Sequence, residues 1–358
     1  MTPAMPPPMP QPMPRPQHRL EPGDRFPEFM LADQTGAMRA FSQRVRGLAM
    51  AVFLDSTEAL RQSLRALADA YQAAELDCLA IDATAAGAEP WPTILADEAG
   101  RIRQSLREMT GRPSASGAAR PLAILLDRNQ RVLAVADDAP ADEGDLARWA
   151  LARWSEEPPP APAAEIRCAA PVLTIPNVLS GADCQALIAR WHEMGNAPGK
   201  VTSLVQGEQV ERVYESLKKR RDHRLNDPVV LRPLLALIAR RLAPELDKAF
   251  HYRAFKFDRV LIACYDAERG DYFRRHRDNQ TPTTATRRFA LTLNLNSEEY
   301  EGGELIFPEY GEHRYKPPAG SAILFSCTLM HEALPVTRGR RFALLSFLRD
   351  ANDPVSES

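Results

Sequence analysis

CYDAERGDYFRRHRDNQTPTTATRRFALTLNLN, residues 264–296, decides how this chain is read. Its second half alternates in two phases. Ala290, Thr292, Asn294 and Asn296 share one; Phe289, Leu291, Leu293 and Leu295 share the other. A period of two is the signature of a β-strand. The first half carries His276 and Asp278, two positions apart. On an extended strand both side chains point to one face, which suits two ligands of one metal ion.

Working downstream, EEYEGGELIFPEYGEHRYKPPAGSAILF (298–325) gives an acidic turn, Gly302-Gly303, a strand, a Pro317-Pro318 turn and another strand. His331 is expected to end a strand, and RRFALLSFL (340–348) supplies a further one. Short strands divided by Gly and Pro read as an all-β sandwich or barrel. A double-stranded jelly roll would set His331 beside the H-x-D strand across the 52 intervening residues. Two imidazoles and one carboxylate form the facial triad that holds non-haem Fe(II) and leaves positions open. Arg341 lies ten positions after His331, in phase with Ala343, Leu345 and Phe347. Both phases of that strand are apolar, so periodicity does not say whether Arg340 or Arg341 points inward. A buried guanidinium needs a partner. A planar carboxylate would supply two parallel hydrogen bonds. The other reading has both arginines capping the strand at the surface, paired with acids.

Residues from roughly 165 to 350 resemble the prolyl 4-hydroxylase-like branch of the 2-oxoglutarate- and Fe(II)-dependent dioxygenases. CY…GDYFRRHRDN, LTLNLN followed by EGGELIFP, PPAGSAILF and HEALPVTRGRR occur in the family's order. The resemblance implies that His276, Asp278 and His331 bind iron and that Arg341 holds the far carboxylate of 2-oxoglutarate. It implies that Tyr265 lines the co-substrate pocket and that Asn294 makes a polar co-substrate contact. Read from their residues alone, Tyr265 is equally a core tyrosine and Asn294 a strand-edge residue. The implied reaction consumes O2 and 2-oxoglutarate, releases succinate and CO2, and hydroxylates a C–H bond of a protein side chain of the prolyl type or of a small molecule. L-Ascorbate is a further candidate cofactor. Asp278 keeps the carboxylate ligand that the family's halogenases lack, which favours hydroxylation. Metal-bound histidines donate their second N–H to an outer acceptor. Glu332 and Glu304 are candidates for that role, against the general rule that glutamates are solvated.

With 358 residues, 44% hydrophobic and 26% charged, the chain suits two globular domains plus tails. A net charge of −2 gives no pull toward nucleic acid or anionic membrane. No apolar run reaches the ~18 residues of a membrane helix. MTPAMPPPMPQPMPRPQ has no signal core, and residues 1–19 read as a disordered Pro/Met-rich tail, with a polyproline ligand as the alternative. Five scattered cysteines without a C-x-x-C suit a reducing, cytoplasmic setting. Cys264 and Cys327 read as small buried hydrophobes in barrel strands.

SEEPPPAPAAE (155–165) reads as a stiff linker between a domain over 20–154 and the dioxygenase domain over 166–350, with 351–358 as a tail. In the first domain, LAMAVFLD (48–55), LDCLAID (76–82) and PLAILLDRNQRVLAVAD (121–137) supply strands. STEALRQSLRALADAYQAA (56–74) has helical spacing and Ser/Thr caps. Alternating strands and helices make an α/β sheet, partly parallel. LEPGDRFPEFMLADQTG, AMAVFLDS, WPTILADEAGRI and RPLAILLDRNQRV resemble the peroxiredoxin branch of the thioredoxin fold. That chemistry needs a thiolate early in the helix after the first core strand. Residues 48–77 hold no cysteine, and Cys78 falls on the next strand. The domain therefore reads as a catalytically dead relative, a scaffold, or a module for a partner protein or homo-oligomer. Pro121 stands where that fold commonly carries a cis-proline. Two rival readings are a thiol redox protein using Cys78 and a non-catalytic metal-binding scaffold.

Between linker and barrel, Ser180 is an expected N-cap and 227–250 an expected helix despite Pro233. These helices should pack on one face of the barrel. ERVYESLKKRRDHR (211–224) reads as a solvated basic face, with a mobile loop engaging an acidic or phosphorylated substrate as the alternative.

Overall fold

The computed structural model describes residues 19–33, 36–44, 47–84, 91–113, 120–136, 145–205 and 208–352. The Pro/Met-rich N-terminal stretch lies outside the described residues. The chain divides into two compact units between Pro162 and Ala163. No helix among the described residues is long and apolar enough to cross a membrane.

The first unit is built on one mixed sheet. Its elements in chain order are β1 (Met30–Ala32), β2 (Met38–Ala40), β3 (Ala49–Leu54), α1 (Glu58–Ala66), α2 (Ala68–Ala73), β4 (Leu76–Asp82), β5 (Thr93–Ala96), α3 (Arg101–Thr110), β6 (Leu122–Leu126), β7 (Val132–Ala136) and α4 (Leu146–Ser155). The strand order is β2-β1-β5-β4-β3-β6-β7, with β3, β4 and β5 parallel and β6 antiparallel to β3. β3 is apolar at every position because both its faces are covered, as central strands of such sheets require. Met50, Val52 and Leu54 meet Phe26, Phe29 and Phe41 on one side. Ala51 and Phe53 meet Leu60, Leu64 and Leu146 on the other. Thr57 caps α1 by accepting from the Leu60 N–H, and the helical segment breaks in two at Leu67. The cis peptide among the described residues is Trp91–Pro92, not the bond before Pro121.

The second unit contains β8 (Leu173–Ile175), α5 (Gly181–Glu193), β9 (Ala197–Pro198), β10 (Val201–Val205), β11 (Glu208–Arg212), β12 (Lys218–Lys219), β13 (Arg221–Arg224) and α6 (Pro228–Phe250). It continues with β14 (Phe255–Phe257), β15 (Leu261–Asp266), β16 (Tyr272–His276), β17 (Arg287–Asn294), β18 (Glu301–Gly302) and β19 (Leu305–Ile306). β20 (Ala322–Ser326), β21 (His331–Ala333), β22 (Val336–Arg338) and β23 (Arg340–Asp350) complete it. A large sheet runs β8-β20-β17-β23-β15-β13-β9, with β14 also on β23; a small sheet runs β12-β16-β21-β19. Two such sheets form a jelly roll.

Two helices close one face of the large sheet. Ser180 and Asp183 form a capping box at the start of α5, and Asp227 caps α6 ahead of Pro228. Leu187, Trp191, Ile238, Leu242 and Leu246 from these helices cluster with Ile262, Leu291, Leu293 and Leu344. The alternate phase, including Ala263, Tyr265, Ala290 and Phe325, joins Leu305 and Ala333 of the small sheet. The interior between the sheets is thus built from the second phase of each strand. His331 opens β21 rather than ending the preceding strand, because β20 stops at Ser326 and a turn intervenes.

Candidate active site

β16 and β21 pair antiparallel with His276 directly opposite His331. Asp278 does not share a strand with His276. β16 ends at His276, and Asp278 sits in the following turn, pinned by donation of its N–H to the Cys327 carbonyl at 3.0 Å. The turn still brings its carboxylate to the two rings. One ligand atom from each of His276, Asp278 and His331 lies within 4.8 Å of the others. The two Nε2 atoms stand 3.5 and 3.4 Å from the two oxygens of Asp278.

Each imidazole is oriented from behind by its own backbone. His276 Nδ1 lies 2.7 Å from the Arg274 carbonyl, and His331 Nδ1 lies 3.0 Å from the Leu329 carbonyl. A carbonyl can only accept, so each Nδ1 carries the proton and each Nε2 keeps a lone pair for a metal. The outer acceptors are therefore carbonyls, not Glu332 or Glu304. Glu332 pairs with Arg275 at 3.3 Å, and the carboxylate of Glu304 lies 3.9 Å from Arg314. The rings are also packed: Phe273 stacks on His276 at 3.5 Å, and Phe325 meets His331 edge-on at 4.7 Å. Burial alone would raise the Asp278 pKa, but His331 and His276 outweigh it and hold the carboxyl at about 2. Burial pushes His331 down to about 4 against the pull of Asp278. At neutral pH the carboxylate is charged and His331 is neutral, the forms a metal ion binds.

These three residues line a cavity of about 430 Å³ together with Tyr265, Thr292, Arg341 and Ser346. Arg341 faces Tyr265 across the β15–β23 ladder, with its guanidinium 5.1 Å from the tyrosine ring. It is 2% exposed. Its Nε has no hydrogen-bond partner, and no carboxylate pairs with it among the described residues. Arg340 instead turns outward and pairs with Asp266 at 2.8 Å. Gly303 makes room for the inward arginine. A Cβ there would stand 3.1 Å from Arg341 Cδ and 2.9 Å from Val336, at a φ of +68° that favours glycine. Asn296 fixes the start of β23 by accepting from the Phe342 N–H and donating to the Arg340 carbonyl.

Tyr265 does line the cavity, and its hydroxyl accepts from Arg220 Nη1 at 2.6 Å. Asn294 does not. It ends β17, is buried, and donates its amide to the Pro317 carbonyl at 3.2 Å, outside the cavity lining. Thr292, one step earlier in the same phase, takes the wall position, facing Leu345 in the ladder. The basic run 211–224 departs from a solvated face: Lys218 and Arg220 are buried on the cavity wall. Cys264 and Cys327 are buried, and burial raises both thiols, Cys264 to about 11.

A jelly roll with a His-Asp-His cluster in its cavity and an unmatched arginine nearby defines an iron-dependent oxygenase that takes an anionic co-substrate. The profile described as the 2OG-Fe(II) oxygenase superfamily matches residues 260–349. A PKHD-type hydroxylase of Xylella fastidiosa (strain M12) is 31% identical over 184 residues, which cover 48% of this chain and 76% of that protein. A Pseudomonas putida prolyl-4-hydroxylase structure is 22% identical, covers 51% of this chain and 93% of its own, and superposes with a TM-score of 0.37. A thiol:disulfide interchange protein DsbE from Chlorobium tepidum is 25% identical over 38% of this chain and 99% of its own, with a TM-score of 0.29. The chain belongs to the PKHD-type hydroxylases of the 2OG-Fe(II) oxygenase superfamily. It is a 2-oxoglutarate- and Fe(II)-dependent hydroxylase.

Proposed function

We propose that His276, Asp278 and His331 hold the Fe(II), that Arg341 receives the far carboxylate of 2-oxoglutarate beside Tyr265, and that the substrate is a protein side chain of the prolyl type or a small molecule. The observation that carries this reading is the buried Arg341 with an unpartnered Nε, in the same cavity as the three ligands. A dicarboxylate bridging metal and arginine would complete both. The bound metal, with 2-oxoglutarate and O2, supplies the oxidising power. The chain supplies the rest. Backbone carbonyls hold each Nδ1–H so that Nε2 faces the metal position, Asp278 stays anionic, and Phe273 and Phe325 keep the rings fixed and dry.

The first unit fits a thioredoxin-like module without peroxidase chemistry. Asp55, Ser56 and Thr57 follow β3, where a reactive thiol would stand. Cys78 is buried in β4, and burial raises its thiol well above the ordinary range. A thiolate nucleophile is not available from that residue.

The test is the visible spectrum of the anaerobic protein on adding Fe(II) and then 2-oxoglutarate. A weak charge-transfer band is expected only with both, and it should vanish in His276→Ala. A band that survives His276→Ala would overturn the ligand assignment. Absence of the band, with no Fe(II) binding by calorimetry, would overturn the oxygenase reading.

A further inference from the structure

The cavity carries more positive charge than its co-substrate can use. Fe(II), Asp278, the 2-oxoglutarate dianion and Arg341 cancel one another. Of the other cavity arginines, Arg277 is matched by Glu309 at 2.6 Å, and Arg287 meets Asp258 at 2.8 Å, a carboxylate that Arg349 shares at 3.0 Å. Arg259 pairs with Glu211 at 3.1 Å. Lys200, also on the lining, is exposed to solvent, and what remains buried is a cluster that β12 and the residue after it bring to the wall.

Lys218 is 3% exposed and Arg220 7%. Both rest on a single carboxylate. Lys218 Nζ is 3.3 Å from Asp222, and Arg220 grips Asp222 at 2.7 and 3.2 Å. Two cations thus share one anion in a buried place, an arrangement that is costly unless a further negative group completes it. The donors tell the same story. Lys218 spends one more N–H on the Lys200 carbonyl at 2.9 Å, and Arg220 spends one on Tyr265. An ammonium has three N–H groups and a guanidinium five. One N–H of Lys218 and one on each Nη of Arg220 are left without an acceptor among the described residues. Burial and the Arg220 charge push Lys218 down to about 7, so the ammonium is strained by its surroundings as they stand.

The cluster is also close to the chemistry. Phe273, which stacks on His276, lies 5.3 Å from Lys218 Nζ and 5.6 Å from Arg220 Cζ, measured to the ring centre. One aromatic ring separates these cations from an iron ligand. Lys218, Arg220 and the triad line one cavity.

We propose that Lys218 and Arg220 form an oxyanion subsite, and that the substrate hydroxylated here carries a carboxylate or phosphate that sits on it. This rests on the oxygenase reading above and adds the substrate class. The unused N–H groups fit an oxyanion, whose several lone pairs can take all three.

The test is calorimetric titration of the full chain, loaded anaerobically with Fe(II) and saturating 2-oxoglutarate, with inorganic phosphate and separately with acetate. Binding of at least one probe is expected, weakened tenfold or more in Arg220→Met and Lys218→Met. Both variants should keep 2-oxoglutarate binding and the thermal midpoint of a folded protein. Phosphate binding without acetate binding points to a phosphorylated substrate, and the reverse to a carboxylate. Failure of both probes to bind the loaded wild-type protein overturns the proposal. So does competition of the probe with 2-oxoglutarate, coupled with loss of 2-oxoglutarate affinity in Arg220→Met as great as in Arg341→Met, because the cluster would then belong to the co-substrate. If the charge-transfer band is itself missing, the oxygenase reading falls instead, and probe binding to Lys218 and Arg220 is still measured on its own.

Discussion

Each unit builds a cavity walled by arginines, and the two handle their charge in opposite ways. In the first unit a cavity of about 290 Å³ is lined by Asp55, Arg103 and Arg107. Asp55, just past β3, takes both guanidiniums, with Arg107 at 2.8 Å, and Arg103 also lies 3.6 Å from Asp97. Two cations meet two carboxylates, so the network is closed in charge, although Arg103 Nε itself has no hydrogen-bond partner. In the second unit Arg341 has no carboxylate and Lys218 and Arg220 share one. A closed buried network reads as architecture. An open one reads as a place where something charged is expected, since an unmatched buried charge is costly to keep.

The largest effect that would break this comparison lies in the triad. Replacing His331 by Ala should lower 2-oxoglutarate turnover by more than the roughly 100-fold that outer-shell changes cost metal sites. Circular dichroism should report a folded chain. Loss of folding with no turnover in the parent would favour a structural metal site instead. Asp55→Asn should do the reverse. Turnover per folded molecule should hold, while thermal unfolding reports a loss of about 3 kcal/mol, the low end for breaking a buried pair, because the buried Arg107 loses its carboxylate while the half-buried Arg103 keeps Asp97. If Asp55→Asn is neutral in stability, the first cavity is not the closed network described.

Arg341→Met comes next. Removing a cation that has no carboxylate partner should leave the ligand-free protein about as stable, the lost contacts to Tyr300 and Tyr265 being offset by relief of the buried charge. The KM for 2-oxoglutarate should rise about 100-fold, the usual range for losing a buried charge-assisted bidentate contact. Stability and KM moving together, both for the worse, would mean that Arg341 serves the fold.

Why some of this was legible in the sequence and some not follows from the same contrast. The two phases of 287–296 were readable because β17 has helices on one side and the cavity on the other, so each phase meets one environment. β23 is apolar on both faces, and no pattern could tell Arg340 from Arg341; the register opposite Tyr265 decides it. The meeting of His276 and His331 follows from the expected jelly roll and not from any local pattern, since strand pairing across so many residues leaves no local mark. Asp278 was placed on the wrong element because a turn, not a strand, carries it to the same point. Asn294 shared the phase of Thr292, but phase says which face a residue is on, not how far along the strand the cavity extends. The run 211–224 misled most. Basic runs are normally solvated, and only the pairing of Lys218 with Phe273 turns this one inward.

The smallest effect expected concerns Lys218 in the ligand-free chain. Burial, together with Arg220, holds its folded pKa at about 7. An unfolded lysine titrates near ~10.4. Between those values the unfolded state carries a proton that the folded state has shed, so stability rises with pH across the window. The buried thiols blur the upper part, because burial raises Cys184 and Cys264 to about 11 and they then add a slope of the opposite sign. The clean interval runs from pH 7 to about 7.5, a full unit below the ~8.5 at which an unfolded cysteine is half deprotonated. There, denaturant unfolding of the wild-type protein should show stability climbing with pH, and Lys218→Met should flatten that climb. At pH 7 the variant should be the more stable, by the low end of the ~1–4 kcal/mol seen when buried ions give way to apolar groups. The gain is modest because the Lys200 carbonyl loses its donor and Asp222 keeps only Arg220. Saturating phosphate or acetate, whichever the subsite binds, should stabilise the wild-type protein and not the variant. A pH slope unchanged by Lys218→Met would show that this lysine is not the strained cation, and the open side of the comparison would then rest on Arg341 alone.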